Sequence, residues 1–195
     1  MLVHIKICLG LWFAILLQTS SVLASTQAPA PSAGQADSLI AKDFENRVGK
    51  YLRLRKNQAG NSPKPTSSPD QLADQRHSLA ARLREARSDA KQGDIFTPQI
   101  SNYFKRQIAA SLDGPNGANP RKSLQHAEPV RGLSLQANQP YPDGVPLQSM
   151  PPTLLMKLPK LPKELEYRIV GRDLILYDTV PNMIVDYIPG AIPGS

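Results

Sequence analysis

Asp70, Asp74 and His77 recur at i, i+4 and i+7 of a predicted helix, close enough along one face to share a cation. Two carboxylates and one imidazole lack the fourth ligand and supporting hydrogen bonds of a zinc site. Acids in a first helical turn are what the helix dipole favours, so a solvated face is expected there. Asp178 and Asp186 fall on neighbouring predicted strands, as the paired carboxylates of a glycosidase must approach each other. Arg168 and Arg172 lie near them in sequence and are expected to neutralise them across the sheet. The chain holds no G-x-S-x-G elbow, no G-x-x-x-x-G-K-[ST] phosphate loop and no H-E-x-x-H. No catalytic residue, no metal site and no cofactor is expected.

Positive charge is the remaining chemical signal, with Lys plus Arg outnumbering Asp plus Glu 23 to 16 over 195 residues. Lys50, Arg53, Arg55 and Lys56 crowd the end of one predicted helix, and Arg82, Arg84, Arg87 and Lys91 the end of the next. Cations there complement the helix macrodipole, which accounts for part of the pattern. Lys157, Lys160 and Lys163 recur every third residue, the period of a polyproline II helix, which aligns the lysines on one edge and Leu158 and Leu161 on another. A stiff strap with its leucines on the protein's own helices is favoured over a free docking ridge. The candidate contacts for an anionic partner are Lys50, Arg53, Arg55, Lys56, Arg84, Arg87, Lys157, Lys160 and Lys163.

The N-terminus reads as an address. Lys6 precedes the run Ile7 to Leu17, which is shorter than the roughly 20 apolar residues that span a bilayer and suits a secretory leader. Val22 and Ala24 put small residues at the third and first positions before Ser25, so cleavage is expected after Ala24. Cleavage removes Cys8 and Trp12, the chain's 1 Cys and 1 Trp, and excludes disulfides, thiol nucleophiles and thiolate metal sites from the mature protein. The mature protein is expected in the periplasm or outside the cell, with no membrane span after processing. An exported protein rarely meets nucleic acid, so the basic balance points to an anionic envelope component or another envelope protein.

The elements that must position these groups follow from caps and periodicity. Residues 25–36 are small, polar and uncharged, the composition of a flexible spacer. A helical region is expected over 37–128. Ile40, Phe44, Val48, Tyr51 and Leu52 share one helix face; Ser68-Pro69 starts a second helix with Leu72, Leu79, Leu83, Ala86 and Ala90 on one stripe, closed by Gly93. These two are expected to pair as an antiparallel hairpin. Thr97-Pro98 starts a third helix carrying Ile100, Phe104, Ile108 and Leu112, stopped by Gly114, and a short fourth turn begins at Asn119-Pro120. Eight of the chain's 19 prolines fall at 129–164, predicting an extended strap. Leu165–Val170, Leu174–Asp178 and Met183–Ile188 read as a three-stranded antiparallel meander within 165–189, followed by a tail at 190–195. Period two places Tyr167 with Ile169 on one face of their strand, and Met183, Val185 and Tyr187 together on one face of the third.

The stretches GDIFTPQI at 93–100, PLQSMPPTLL at 146–155 and LPKLPKELEYRIVGRDLILYDTVPNMIVDYIP at 158–189 resemble an uncharacterised family of exported bacterial proteins. That resemblance implies export and a shared architecture and carries over no catalytic residue. Tyr167, Arg168, Gly171 and Asp173 also resemble the C-terminal strand module of small periplasmic proteins that include nickel and cobalt homeostasis factors. The expectation is an α+β protein acting as a non-catalytic binding or interaction protein of the bacterial envelope. A periplasmic metal-homeostasis factor is the second reading, and a carboxylate-dependent hydrolase the third.

Overall fold

The computed structural model describes residues 32–60, 66–125 and 133–194. The leader 1–24, the spacer as far as residue 31, residues 61–65, and residues 126–132 where the Pro-rich strap begins lie outside them. The spacer predicted to run to Ala36 ends earlier, because Ser32 and Gln35 bond reciprocally. The Gln35 amide donates to Ser32 Oγ (3.4 Å) and the Ser32 amide donates to Gln35 Oε1 (3.0 Å). This capping box satisfies two free amides and starts helix α1, Ala33–Ala59, which buries Phe44, Val48 and Tyr51.

Helix α2 spans Pro69–Ala86 and helix α3 Pro98–Asp113. The Gln58 carbonyl accepts from Arg82, and the Tyr51 ring lies under Arg87, so α1 and α2 run antiparallel as expected. Two expectations about α2 need correction. The helix stops at Ala86, leaving Ala90 and Gly93 in the following loop, and Leu72 and Ala86 are exposed, so its buried stripe is Leu79, Ala80 and Leu83. Ser68 makes no side-chain cap; its amide instead donates to Thr66 Oγ1 at 3.1 Å. Helix α3 matches its reading: Thr97 caps the Ile100 amide, and Ile100, Phe104, Ile108 and Leu112 are all buried. A short helix α4, Ala118–Gln125, follows a turn at Gly117, where a Cβ would stand 1.8 Å from the Leu112 carbonyl oxygen.

The sheet has five antiparallel strands rather than three, in the order β1-β5-β4-β3-β2. The predicted meander forms its centre as β3 (Leu165–Val170), β4 (Asp173–Asp178) and β5 (Met183–Ile188). The Pro-rich segment supplies both edges, β1 (Gln139–Pro140) beside β5 and β2 (Gln148–Ser149) beside β3, then the single-turn helix α5 (Pro152–Leu155). Two-residue strands leave no periodicity in a sequence, and Pro140 is tolerated only because β1 is an edge. Short edges of this kind also resist pairing with other chains.

Both faces of the meander are covered. Leu165, Tyr167, Ile169, Leu174, Leu176 and Ile188 pack against α1, α3 and Leu154 and Leu158 of the strap. At the centre Phe44, Phe96, Phe104 and Tyr167 form an aromatic cluster with ring centroids from 5.0 to 6.3 Å apart. Val170, Ile175 and Ile184 turn the other way, under Leu135 and Tyr141. A bulge corrects the predicted third-strand face: Leu176 pairs with Asp186 but Tyr177 with Ile184, leaving Val185 as the extra residue. Met183 and Val185 therefore stay on the helix side, and Tyr187 joins the opposite cluster.

The strap is packed, as the favoured reading held: Leu158 is buried and Leu161 partly so, with Lys157, Lys160 and Lys163 exposed between them. The supposed tail is part of the core. Ala191 and Ile192 are buried, and Ile192 exchanges bonds of 3.0 Å with Arg172 through its amide and its carbonyl. Among the described residues no helix is long and apolar enough to cross a membrane.

Candidate functional site

Asp178 and Asp186 sit on adjacent strands, both 0% exposed, and each is engaged by a different part of the helical layer. Asp178 Oδ2 accepts from the Tyr51 hydroxyl at 2.7 Å and from Arg55 Nε at 2.6 Å, while its Oδ1 accepts from the Val180 amide at 3.3 Å. Burial, reinforced by the neighbouring carboxylate, pushes the Tyr51 hydroxyl far above its ordinary range. Asp186 Oδ1 accepts from the amides of Gly93 (2.9 Å) and Tyr187 (2.8 Å), and Oδ2 from those of Ile95 and Phe96 (both 2.8 Å). Gly93 adopts φ +93°, which lets these amides converge on one carboxylate. Burial raises the Asp186 pKa, with the four amide bonds pulling against it.

The expected neutralisers are elsewhere. Arg168 pairs with Glu166 and donates to Ser149 Oγ, and Arg172 donates to the Ile192 carbonyl. The ion pair that forms instead, Arg55–Asp178, joins residues 123 apart in sequence, so neighbourhood in the chain gives no hint of it. Enclosed and saturated with donors, the two carboxylates serve as staples that tie α1 and the 93–96 loop to the sheet. Neither offers an oxygen to solvent.

Two of the nine candidate cations are likewise internal, and both correct the sequence reading. Arg55 is held by Asp178, as described. Arg87 donates both terminal nitrogens to the Val185 carbonyl (3.3 and 3.4 Å) and lies 5.2 Å from the Tyr51 ring centroid. Burial lowers its pKa, against the opposing pull of Tyr51, Asp186 and Asp94. Beside it, Asn138 donates to the Arg84 and Arg87 carbonyls at 3.2 and 2.8 Å, closing the end of α2 onto the sheet edge. Its positive φ of 62° is a turn signal that sequence reading missed.

Lys50, Arg53, Lys56, Arg84, Lys157, Lys160 and Lys163 are exposed. They do not share one cavity. Lys50 lines a recess of about 240 Å³ with Arg47, Arg87 and Asp94, whereas Arg55 lines a separate cleft with Arg82 and Asp74. Lys160 stands on a third, a groove of about 490 Å³ between the strap and β3, walled by Met150, Leu155, Leu161 and Leu165. Glu166 and Arg168 close its far side as a mutual ion pair. This groove sets the Lys160 ammonium beside an apolar wall, and it is the candidate site.

Among the described residues no group of three or more His, Cys, Asp or Glu side chains comes together, and Asp70, Asp74 and His77 form none. No protein-family model, curated protein or solved structure matches the chain.

Proposed function

We propose that this chain is a non-catalytic binding protein of the bacterial envelope, exported through its leader, that engages an anionic partner through the strap and its groove. The observation that carries this reading is the division of the strap: Leu158 and Leu161 turn inward, while Lys157, Lys160 and Lys163 face solvent. Among the described residues none of these three lysine side chains takes part in a hydrogen bond or an ion pair. From Pro152 to Lys163 the chain carries three lysines and no acidic residue, with Glu164 and Glu166 following at once. A row of cations fixed on a packed backbone meets an anionic surface without the ordering cost that a flexible tail incurs.

The test is association of the processed protein with a bacterial envelope fraction across an ionic-strength series. Retention should fall steeply between low and physiological salt, because exposed charges are screened over about 8 Å at 0.15 M. The triple variant K157Q/K160Q/K163Q should lose both the retention and its salt dependence. Salt-independent retention, or wild-type behaviour in the triple variant, refutes the proposal.

A further inference from the structure

We propose that the anionic partner is a phospholipid bilayer, and that helix α5 and the lysine row dock on its surface as one unit. This rests on the binding reading above and names its partner. Leu155 is 42% exposed and Met156 76%, so two consecutive large apolar residues at the end of the single-turn helix reach water. Lys157 follows at once, with Lys160 and Lys163 at the next two three-residue steps, and Leu155 and Lys160 border the same groove. An apolar knuckle of two exposed residues, followed in the chain by three exposed lysines, matches the two layers of an anionic membrane surface. Side chains enter the acyl boundary and cations remain with the phosphates.

The knuckle decides between a bilayer and an acidic peptide. A peptide seated in the groove would cover Leu155, Leu161 and Leu165, yet leave Met156, which is not part of the groove wall, in water. A membrane surface is not confined to the groove and can take up Met156 together with Lys157, its neighbour in the chain. Pro151 and Pro152 stiffen the approach to the knuckle, and Leu154 anchors it in the core at 1% exposure, so the projecting residues are held out by packing.

The experiment is flotation of the processed protein with vesicles of phosphatidylglycerol and phosphatidylethanolamine, and with vesicles of phosphatidylcholine alone. Wild type should float with the first and stay behind with the second. L155S/M156S should weaken binding roughly tenfold through lost apolar burial. K157Q/K160Q/K163Q should weaken it on the order of a hundredfold, about fivefold per lysine. Equal binding to both vesicle types, or wild-type binding by L155S/M156S, overturns the inference. So does salt-sensitive retention on an envelope fraction that protease treatment abolishes, which would point to an acidic protein and leave the broader binding reading standing.

Discussion

Replacing Asp186 separates the structural account of the buried carboxylates from a catalytic one. Its two oxygens accept four amide hydrogens, and two of the donors belong to Ile95 and Phe96, which are 4% and 1% exposed. A buried amide left without an acceptor costs about 1–3 kcal/mol. D186A strands both, so a loss of about 4 kcal/mol is expected before the more accessible Gly93 amide is considered. D186N keeps one oxygen and turns an NH₂ toward the other pair of amides. It also removes a desolvated charge. Because burial raises the Asp186 pKa, ionisation carries a desolvation cost in the fold, and stability falls in part as pH rises from the unfolded to the folded value of this group while the amide bonds remain. Asn relieves that part, and its loss should be smaller, about 2–3 kcal/mol. Against a typical domain stability of about 5–15 kcal/mol either change is large. Urea unfolding followed by circular dichroism should show the midpoint falling by about 1–2 M for D186N. Hydrogen exchange at the Ile95 and Phe96 amides should rise with it. A D186N protein with the wild-type midpoint and unchanged exchange refutes the staple, whatever its effect on any activity.

Two further predictions concern the second staple and the buried tyrosines. In a double-mutant cycle of D178N and R55M, a coupling of about 2 kcal/mol is expected, since Asp178 is fully enclosed and the Arg55 side chain is 13% exposed; coupling below about 0.5 kcal/mol would show the pair to be ornamental. Tyr51 and Tyr167 have hydroxyls pushed far up by burial, so their stabilising effect is complete below about pH 10 and is lost as the unfolded chain ionises above it. Stability measured by urea titration should fall by about 1.4 kcal/mol per pH unit for each tyrosine, and Y167F should remove one such increment from the slope.

The elements with caps and long periods were legible in the sequence. Thr97-Pro98 with Ile100, Phe104, Ile108 and Leu112 gives α3 residue for residue, and the three long strands follow from their β-branched runs and turns. What escaped is set by contacts distant in the chain. Gln139–Pro140 and Gln148–Ser149 become strands only because β5 and β3 present free edges to them. The early start of α1 depends on two side-chain bonds, and the single-residue bulge at Val185 moves Tyr187 to the opposite cluster. Of the candidate site, the exposure of Lys157, Lys160 and Lys163 beside the packed Leu158 and Leu161 was legible in their three-residue spacing. Its apolar wall was not, since Met150 and Leu165 meet Leu155 only through the sheet.

The partition of the cations gives the binding experiments their meaning. Arg55 and Arg87 are bound to Asp178 and to the Val185 carbonyl, so replacing either one removes a buried contact along with a charge, and weakened binding in such a variant would be ambiguous. Lys157, Lys160 and Lys163 are exposed, and among the described residues their side chains hold no other group. The strap beneath them is fixed by Leu154, Leu158 and the bond from the Tyr167 hydroxyl to the Pro159 carbonyl (3.0 Å), none of which involves a lysine side chain. Gln at the three positions should therefore leave the urea midpoint within the scatter of ordinary surface substitutions, about 0.5 kcal/mol each. Charge and fold are separable at the strap and inseparable at Arg55 and Arg87, which makes the strap variants a cleaner test of what this protein binds than variants of those two arginines.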